Sequence, residues 1–163
     1  MEQFCAWRRF PRAGVDPIST PQAALAVISM AMQRPLRHET LVLALDAERR
    51  GVTVVVVDGT ANPDAVVVVG ECIAMAVAGA TPVEALVLAT VRPAGMSRGL
   101  SGGEATDIGE DELGAGDLDR WFEASDVVEA CGLELVEWFV INGGENIERI
   151  RCPRDDIGER PRW

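Results

Sequence analysis

Hydrophobic residues recur at two different spacings along the chain, and the spacing predicts the elements. Leu25, Ile28 and Met32 recur every three or four residues, which is typical of one face of a helix. Thr20 can cap that helix and Pro21 suits its first position; we expect the helix over 21–33. A second run, capped by Asp64 and extending to about Ala78, is ambiguous because 66–69 has strand propensity, but its length and its Pro-Asp start favour a helix. Spacing of three and four residues predicts a third helix from Asp117 to a C-terminal cap at Gly132.

Short runs rich in β-branched residues predict five strands. They cover 39–46, 52–57, 85–90, 133–141 and 147–152. A polar stretch that ends in Gly51 separates the first two, so we expect an antiparallel hairpin. The second strand is almost continuously apolar, and we expect it to be covered on both faces. The order of elements predicts an α/β (α+β) domain in which helices flank a mixed central β-sheet.

The length of 163 residues predicts a single domain. An N-terminal arm and helix occupy 1–35, and Phe4, Trp7 and Phe10 are expected to hold the arm against the body. The core covers 36–152 and includes an acidic, glycine-rich stretch at 96–116 that we expect to be a mobile loop. A tail at 153–163 is expected to pack one or two side chains onto the core.

A net charge of −11 makes an acidic surface, which disfavours nucleic acid and anionic membranes as partners. The arginines at 8, 9 and 12 are expected to be solvated. No stretch is apolar enough to cross a membrane, and the first residues lack the pattern of a signal peptide. Four widely spaced cysteines predict reduced thiols. Together these features predict a cytoplasmic protein.

Several segments in succession resemble one known family. They are 39–46, Gly59-Thr60, 86–95, Asp119 and 132–141. This succession looks like the bacterial RadC-type branch of the JAB (JAMM) metalloprotease-like fold, over roughly 39–141. The resemblance implies a three-layer domain. It also implies a site in which two histidines and an aspartate hold zinc beside a general-base glutamate.

The sequence departs from that family at the zinc ligands. Thr90 and Arg92 stand where the resemblance expects the two histidines, and Ala94 stands where it expects a serine. Glu39 matches the general base, and Asp119, or else Asp117, matches the third ligand. The one histidine of the chain, His38, is next to Glu39 on the predicted strand and is therefore expected to point to the opposite face.

Arg92 introduces a permanent cation that could pair with Glu39 or Asp119. The resemblance therefore implies a site without metal or cofactor. Our first hypothesis is a non-catalytic JAB/RadC-like domain that serves as a protein-interaction or scaffold module, with a protein partner or as a homodimer. The alternative is a metal-free hydrolase or small-ligand-binding enzyme that uses Glu39, Arg92 and Asp119. Direct DNA binding is disfavoured by the charge.

Overall fold

One mixed β-sheet lies between helices on its two faces, which confirms the predicted class. The computed structural model describes residues 10–79, 82–93, 116–143, 147–150 and 162–163. The helices in these ranges are α1 (Pro21–Ala31), α2 (Ala65–Val77) and α3 (Asp117–Ala130). The strands are β1 (Glu39–Asp46), β2 (Gly51–Asp58), β3 (Val83–Arg92), β4 (Glu134–Asn142) and β5 (Ile147–Ile150). Their order in the sheet is β2-β1-β3-β4-β5. Only β3 and β4 among these strands pair in parallel.

Two hydrophobic cores form because side chains alternate along the strands. Val42 and Leu88 point to the core beneath α2 and α3, and we call this side of the sheet the α2/α3 face. Leu41 and Val87 point to the core beneath α1, on the α1 face. All eight residues of β1 are buried. β1 therefore contributes to both cores at once.

The prediction that the second strand is covered on both faces is wrong. β2 is the first strand of the sheet, and its residues are exposed or only partly buried. β1, β3 and β4 are the described strands that are buried on both faces, because helices cover both sides of the sheet there. A valine-rich run indicates a strand, but it does not show whether the strand lies at the edge or in the centre of the sheet.

The helix starts show which of the predicted caps form. Thr20 caps α1, since its Oγ1 accepts a hydrogen bond from the N–H of Ala23 at 3.2 Å. The helix ends at Ala31, two residues before the predicted end. Asp64 precedes α2 as predicted, but its side chain does not cap the helix. It accepts a hydrogen bond from Arg120 of α3 instead.

The arm is held differently from the prediction. Phe10 is largely exposed, and Phe4 and Trp7 lie outside the described residues. Ile18, which is buried in the core of the α1 face, anchors this segment. Its N–H donates to the carbonyl of Arg49 at 2.7 Å, beside the start of β2.

The tail contributes two described side chains. Trp163 packs against the core of the α1 face and donates from Nε1 to the carboxylate of Glu137. Arg162 donates to the carbonyl of Leu135 at 2.6 Å and stacks on Trp121. The stretch predicted as a mobile loop lies outside the described residues, except for Gly116. No helix among the described residues combines the length and apolar character that a membrane crossing needs.

Gly70 lies where α2 packs against the sheet, and its replacement by alanine tests that packing. A Cβ at this position would lie 3.5 Å from Leu88 Cδ1 and 3.9 Å from Val128 Cγ2, both ordinary contacts. Because glycine is unfavourable inside a helix, we expect Gly70→Ala to raise the free energy of unfolding by about 0.5–1 kcal/mol in urea denaturation.

The control is Gly132→Ala after α3, where the backbone φ is +79°. This variant should lose about 1 kcal/mol because an L residue is strained there. A destabilised Gly70→Ala protein would contradict the described distance between α2 and β3.

Candidate functional site

A buried ion pair joins the end of β3 to the start of α3. Arg92 is the last residue of β3, and Asp117 is the first residue of α3. Arg92 Nη1 donates to Asp117 Oδ2 at 3.0 Å, and Nη2 donates to Oδ1 at 2.9 Å. The side chain of Asp117 is 1% exposed and that of Arg92 is 29% exposed. This bidentate geometry is the strongest arrangement that an arginine and a carboxylate form.

Arg120 extends the pair to α2. Its Nη1 donates to Asp117 Oδ1 at 3.2 Å, and its Nε donates to Asp64 Oδ1 at 2.8 Å. We call Arg92, Asp117, Arg120 and Asp64 the ion-pair cluster. The cluster connects the end of one strand to the starts of two helices, with two positive and two negative side chains.

Gly116 makes room for this arrangement. It precedes α3 with a φ of +94°, which strains any residue with a side chain. A Cβ at Gly116 would also lie 3.4 Å from Nη1 of Arg120. The glycine therefore allows the guanidinium to approach the first turn of α3.

The electrostatics of Asp117 follow from its burial and its two arginines. Burial alone would raise the pKa of Asp117, but hydrogen bonds and charge from Arg92, and then from Arg120, outweigh it and hold the pKa below its usual value. The pKa of Arg120 is raised, mainly by its hydrogen bond to Asp64. The carboxylate of Asp117 therefore stays ionised at neutral pH.

Thr90 lies on the same face as Arg92. The two are separated by one residue on β3, so their side chains share the α2/α3 face. Thr90 Oγ1 accepts a hydrogen bond from Trp138 Nε1 at 2.9 Å, inside the core. Arg92 thus binds Asp117 on the same face of the sheet on which Thr90 meets Trp138.

Glu39 does not join this cluster. It pairs with Val91 across β1 and β3, and both point to the α1 face. Its Oε1 accepts a hydrogen bond from the backbone N–H of Gln33 at 3.0 Å, whereas its Oε2 is buried and accepts a hydrogen bond from none of the described residues. The residue of β1 opposite Thr90 is Thr40, which donates to Thr60 Oγ1 at 2.9 Å. The expected pairing of Glu39 with Arg92 is therefore not formed.

Asp119 and His38 lie apart from the ion-pair cluster. Asp119 is exposed on α3, and Asp117, the alternative for the third ligand, binds Arg92 instead. His38 is partly buried just before β1, where its backbone carbonyl accepts hydrogen bonds from the N–H groups of Gly59 and Thr60. The predicted set of Glu39, Arg92 and Asp119 is thus spread over two faces and the surface.

Arg120 and Asp64 are cluster members that the sequence reasoning missed. Arg120 follows Asp117 by three residues, a spacing that brings side chains together on a helix and could have been noticed. Asp64 is 56 residues away from Arg120, and no local pattern connects them. The helix-cap prediction assigned Asp64 a different role.

The chemistry open to the cluster is limited by its own ion pairs. Arginine does not lose its proton in the neutral pH range, so Arg92 and Arg120 cannot act as bases. Both oxygens of Asp117 already accept hydrogen bonds. Within the part of the chain that the structure describes, no three His, Cys, Asp or Glu side chains are grouped to hold a metal ion. The arrangement is suited to linking elements.

The sequence matches no protein-family model and no curated protein. The likeness to RadC-type JAB domains therefore rests on the sequence alone.

Removal of the Asp117 charge should destabilise the protein in a pH-dependent way. We expect Asp117→Asn to lower the free energy of unfolding by about 2 kcal/mol near neutral pH, since hydrogen bonds to charged groups are lost. The folded-state pKa lies below the unfolded value of about 3.9, so this stabilisation is complete above about pH 5 and is lost as pH falls through the folded pKa. Denaturation of both proteins across this pH range measures the difference.

The matched control is Asp119→Asn, an exposed aspartate in the same first turn. It should change stability by less than about 0.5 kcal/mol. A difference between wild type and Asp117→Asn that stays constant down to about pH 2 would contradict the assignment.

Proposed function

We propose that this chain is a non-catalytic domain of the RadC-like JAB type, which acts as a protein-interaction or scaffold module. The observation that carries the proposal is the bidentate pair of Arg92 with Asp117. In the sequence, the family resemblance assigns zinc ligands to position 92 and to Asp119 or Asp117. In this chain a salt bridge between Arg92 and Asp117 joins β3 to α3 instead.

The physical reason is the mismatch between an arginine and a metal. Hydrolytic zinc in such a site needs two neutral imidazoles, a carboxylate and one position for water. At positions 90 and 92 the chain has a hydroxyl and a permanent cation. Arg92 repels a divalent cation and also occupies the carboxylate that would bind it.

The alternative, a metal-free enzyme, needs Glu39, Arg92 and Asp119 around one substrate. General acid-base catalysis requires each group to lie within hydrogen-bonding reach of the reacting atoms. Glu39 is buried on the α1 face, Arg92 lies on the α2/α3 face, and Asp119 is exposed. Their separation favours the interaction module.

Exposed apolar side chains on α2 and α3 support a role in binding. Val68 and Met75 are seven residues apart on α2, and Leu118 and Phe122 are four residues apart on α3. Each pair shares one side of its helix. Clustered exposed apolar residues are typical of surfaces that contact another protein.

The purified chain tests the absence of catalysis. With zinc added, we expect it to cleave neither peptide nor isopeptide bonds in fluorogenic assays, because Arg92 holds Asp117. Zinc should also leave the melting temperature unchanged. Zinc-dependent cleavage that disappears in Asp117→Asn would overturn the proposal.

Reintroduction of histidines tests the family correspondence. We expect the variant with Thr90→His and Arg92→His to bind zinc in calorimetry, because both positions share a face beside Asp117. Adding Asp117→Asn should weaken this binding at least about tenfold.

Adding Glu39→Gln instead should leave zinc binding unchanged, since Glu39 lies on the other face. Circular dichroism checks that each variant is folded. A folded double variant with no affinity for zinc would show that positions 90, 92 and 117 do not correspond to the family ligands.

A further inference from the structure

The outer edge of β2 is open over most of its length, as far as the described residues show. β2 is the first strand in the order, so β1 pairs with only one of its two edges. The segment before α1 covers the start of the other edge. There the N–H of Gly14 donates to the carbonyl of Gly51 at 3.0 Å, and Pro17 forms a bridge with Arg50. From Thr53 to Asp58, no described residue pairs with this edge.

The direction of the peptide groups follows from the neighbouring hydrogen bonds. The N–H of Gly59 donates to the carbonyl of His38, so Gly59 points toward β1. In an antiparallel pair, successive residues point their peptide groups alternately toward and away from the partner. Val54, Val56 and Asp58 therefore direct their N–H and C=O groups outward.

This edge lacks the devices that usually prevent strand pairing. Charged side chains, proline and bulges protect most exposed edges. The stretch 53–57 has the sequence Thr-Val-Val-Val-Val, without charge or proline. The one irregularity in its pairing with β1 lies earlier, opposite Ala44 and Leu45. Val56 is 36% exposed on the outer part of the strand.

We infer that β2 binds β2 of a second copy of this chain, antiparallel, across a two-fold axis at Val55. Threonine and valine have nearly the same shape, so the stretch 53–57 has a similar outline in both directions. In this register Val54 lies opposite Val56 of the second copy, and Thr53 lies opposite Val57 of the second copy. The outward peptide groups of Val54 and Val56 then complete hydrogen-bonded pairs on both sides of the axis.

The charges also select this arrangement. Asp58 is the only charged residue of β2. Antiparallel pairing about Val55 places the two copies of Asp58 roughly 20 Å apart, beyond the screening length of about 8 Å at physiological salt. Parallel pairing would place them side by side, in a chain whose net charge is already −11. Antiparallel pairing about Val55 therefore fits the outline of the stretch 53–57 and keeps the two Asp58 charges apart.

This association is independent of the proposed function. β2 is separated from the ion-pair cluster by β1 and β3, and no cluster residue takes part in the pairing. A dimer would form whether or not the cluster is catalytic. The zinc assays therefore test the proposed function, the association experiments test the dimer, and a negative result in one does not decide the other.

Sedimentation velocity of the full chain from micromolar to millimolar concentration tests the dimer. We expect the mass to rise from that of one 17.5 kDa chain to twice that value. Val56→Pro removes an outward N–H, which an edge strand tolerates, and should keep the protein monomeric. Val56→Lys should do the same, because a charged edge resists pairing.

The matched control is Met30→Lys, which adds the same charge at an exposed apolar residue of α1 and should leave the dimer intact. A wild-type chain that stays monomeric throughout would overturn the inference. So would a dimer that both Val56 variants leave unchanged. Binding of a peptide from another protein at this edge, with the chain itself monomeric, would overturn it as well.

Cross-linking provides a second measurement that does not depend on the Val56 variants. The two copies of Val55 form a pair with Cα atoms about 4.5 Å apart, within the range that a disulfide spans. On mild oxidation, Val55→Cys should form much more disulfide-linked dimer than the wild type does. The cysteines of the wild type give the background level of cross-linking. Val57→Cys should not, since the two copies of residue 57 lie roughly 13 Å apart. Equal cross-linking of the two variants would exclude the axis at Val55.

Discussion

Burial of the Asp117 carboxylate is the constraint on which the centre of this structure depends. A carboxylate removed from water must be paired with a cation and hydrogen bonded, or its burial costs more than the fold can supply. Arg92 satisfies both oxygens, and Arg120 adds a third hydrogen bond. These groups belong to β3 and α3, and Arg120 also binds Asp64 before α2. The ion pairs that stabilise the buried carboxylate therefore also hold β3, α3 and the start of α2 together.

The alternation of side chains in the sheet then decides which residues can meet this cluster. β1 is buried on both faces, and a shift of one residue would send every side chain to the opposite core. Thr40 therefore faces Thr90, and Glu39 faces away. Glu39 instead accepts the N–H of Gln33, just after α1, and so connects that helix to the strand. Glu39 therefore has a structural contact on the side of the sheet opposite to the ion-pair cluster.

Much of the fold could be predicted because it depends on local patterns. The predicted strand 39–46 agrees with β1, and the hairpin and the three helices are present with ends shifted by a few residues. The position of β2 at the edge could not be predicted, because its valines satisfy the same propensity in either place. The choice between Asp117 and Asp119 depends on which side of α3 faces the sheet. The contact of Arg120 with Asp64 joins residues that are distant in sequence, and only tertiary packing brings them together.

The same packing determines where the molecule can bind something else. β3 and β4 run in parallel and end together at Arg92 and Asn142. The carboxyl ends of parallel strands are where open α/β sheets usually hold ligands. Here Arg92 and Asp117 use that end for each other. The edge of β2, by contrast, directs peptide groups outward between Thr53 and Asp58 without a described partner. The backbone groups of this stretch are therefore open to another strand, whereas the charged groups at the end of β3 already bind each other.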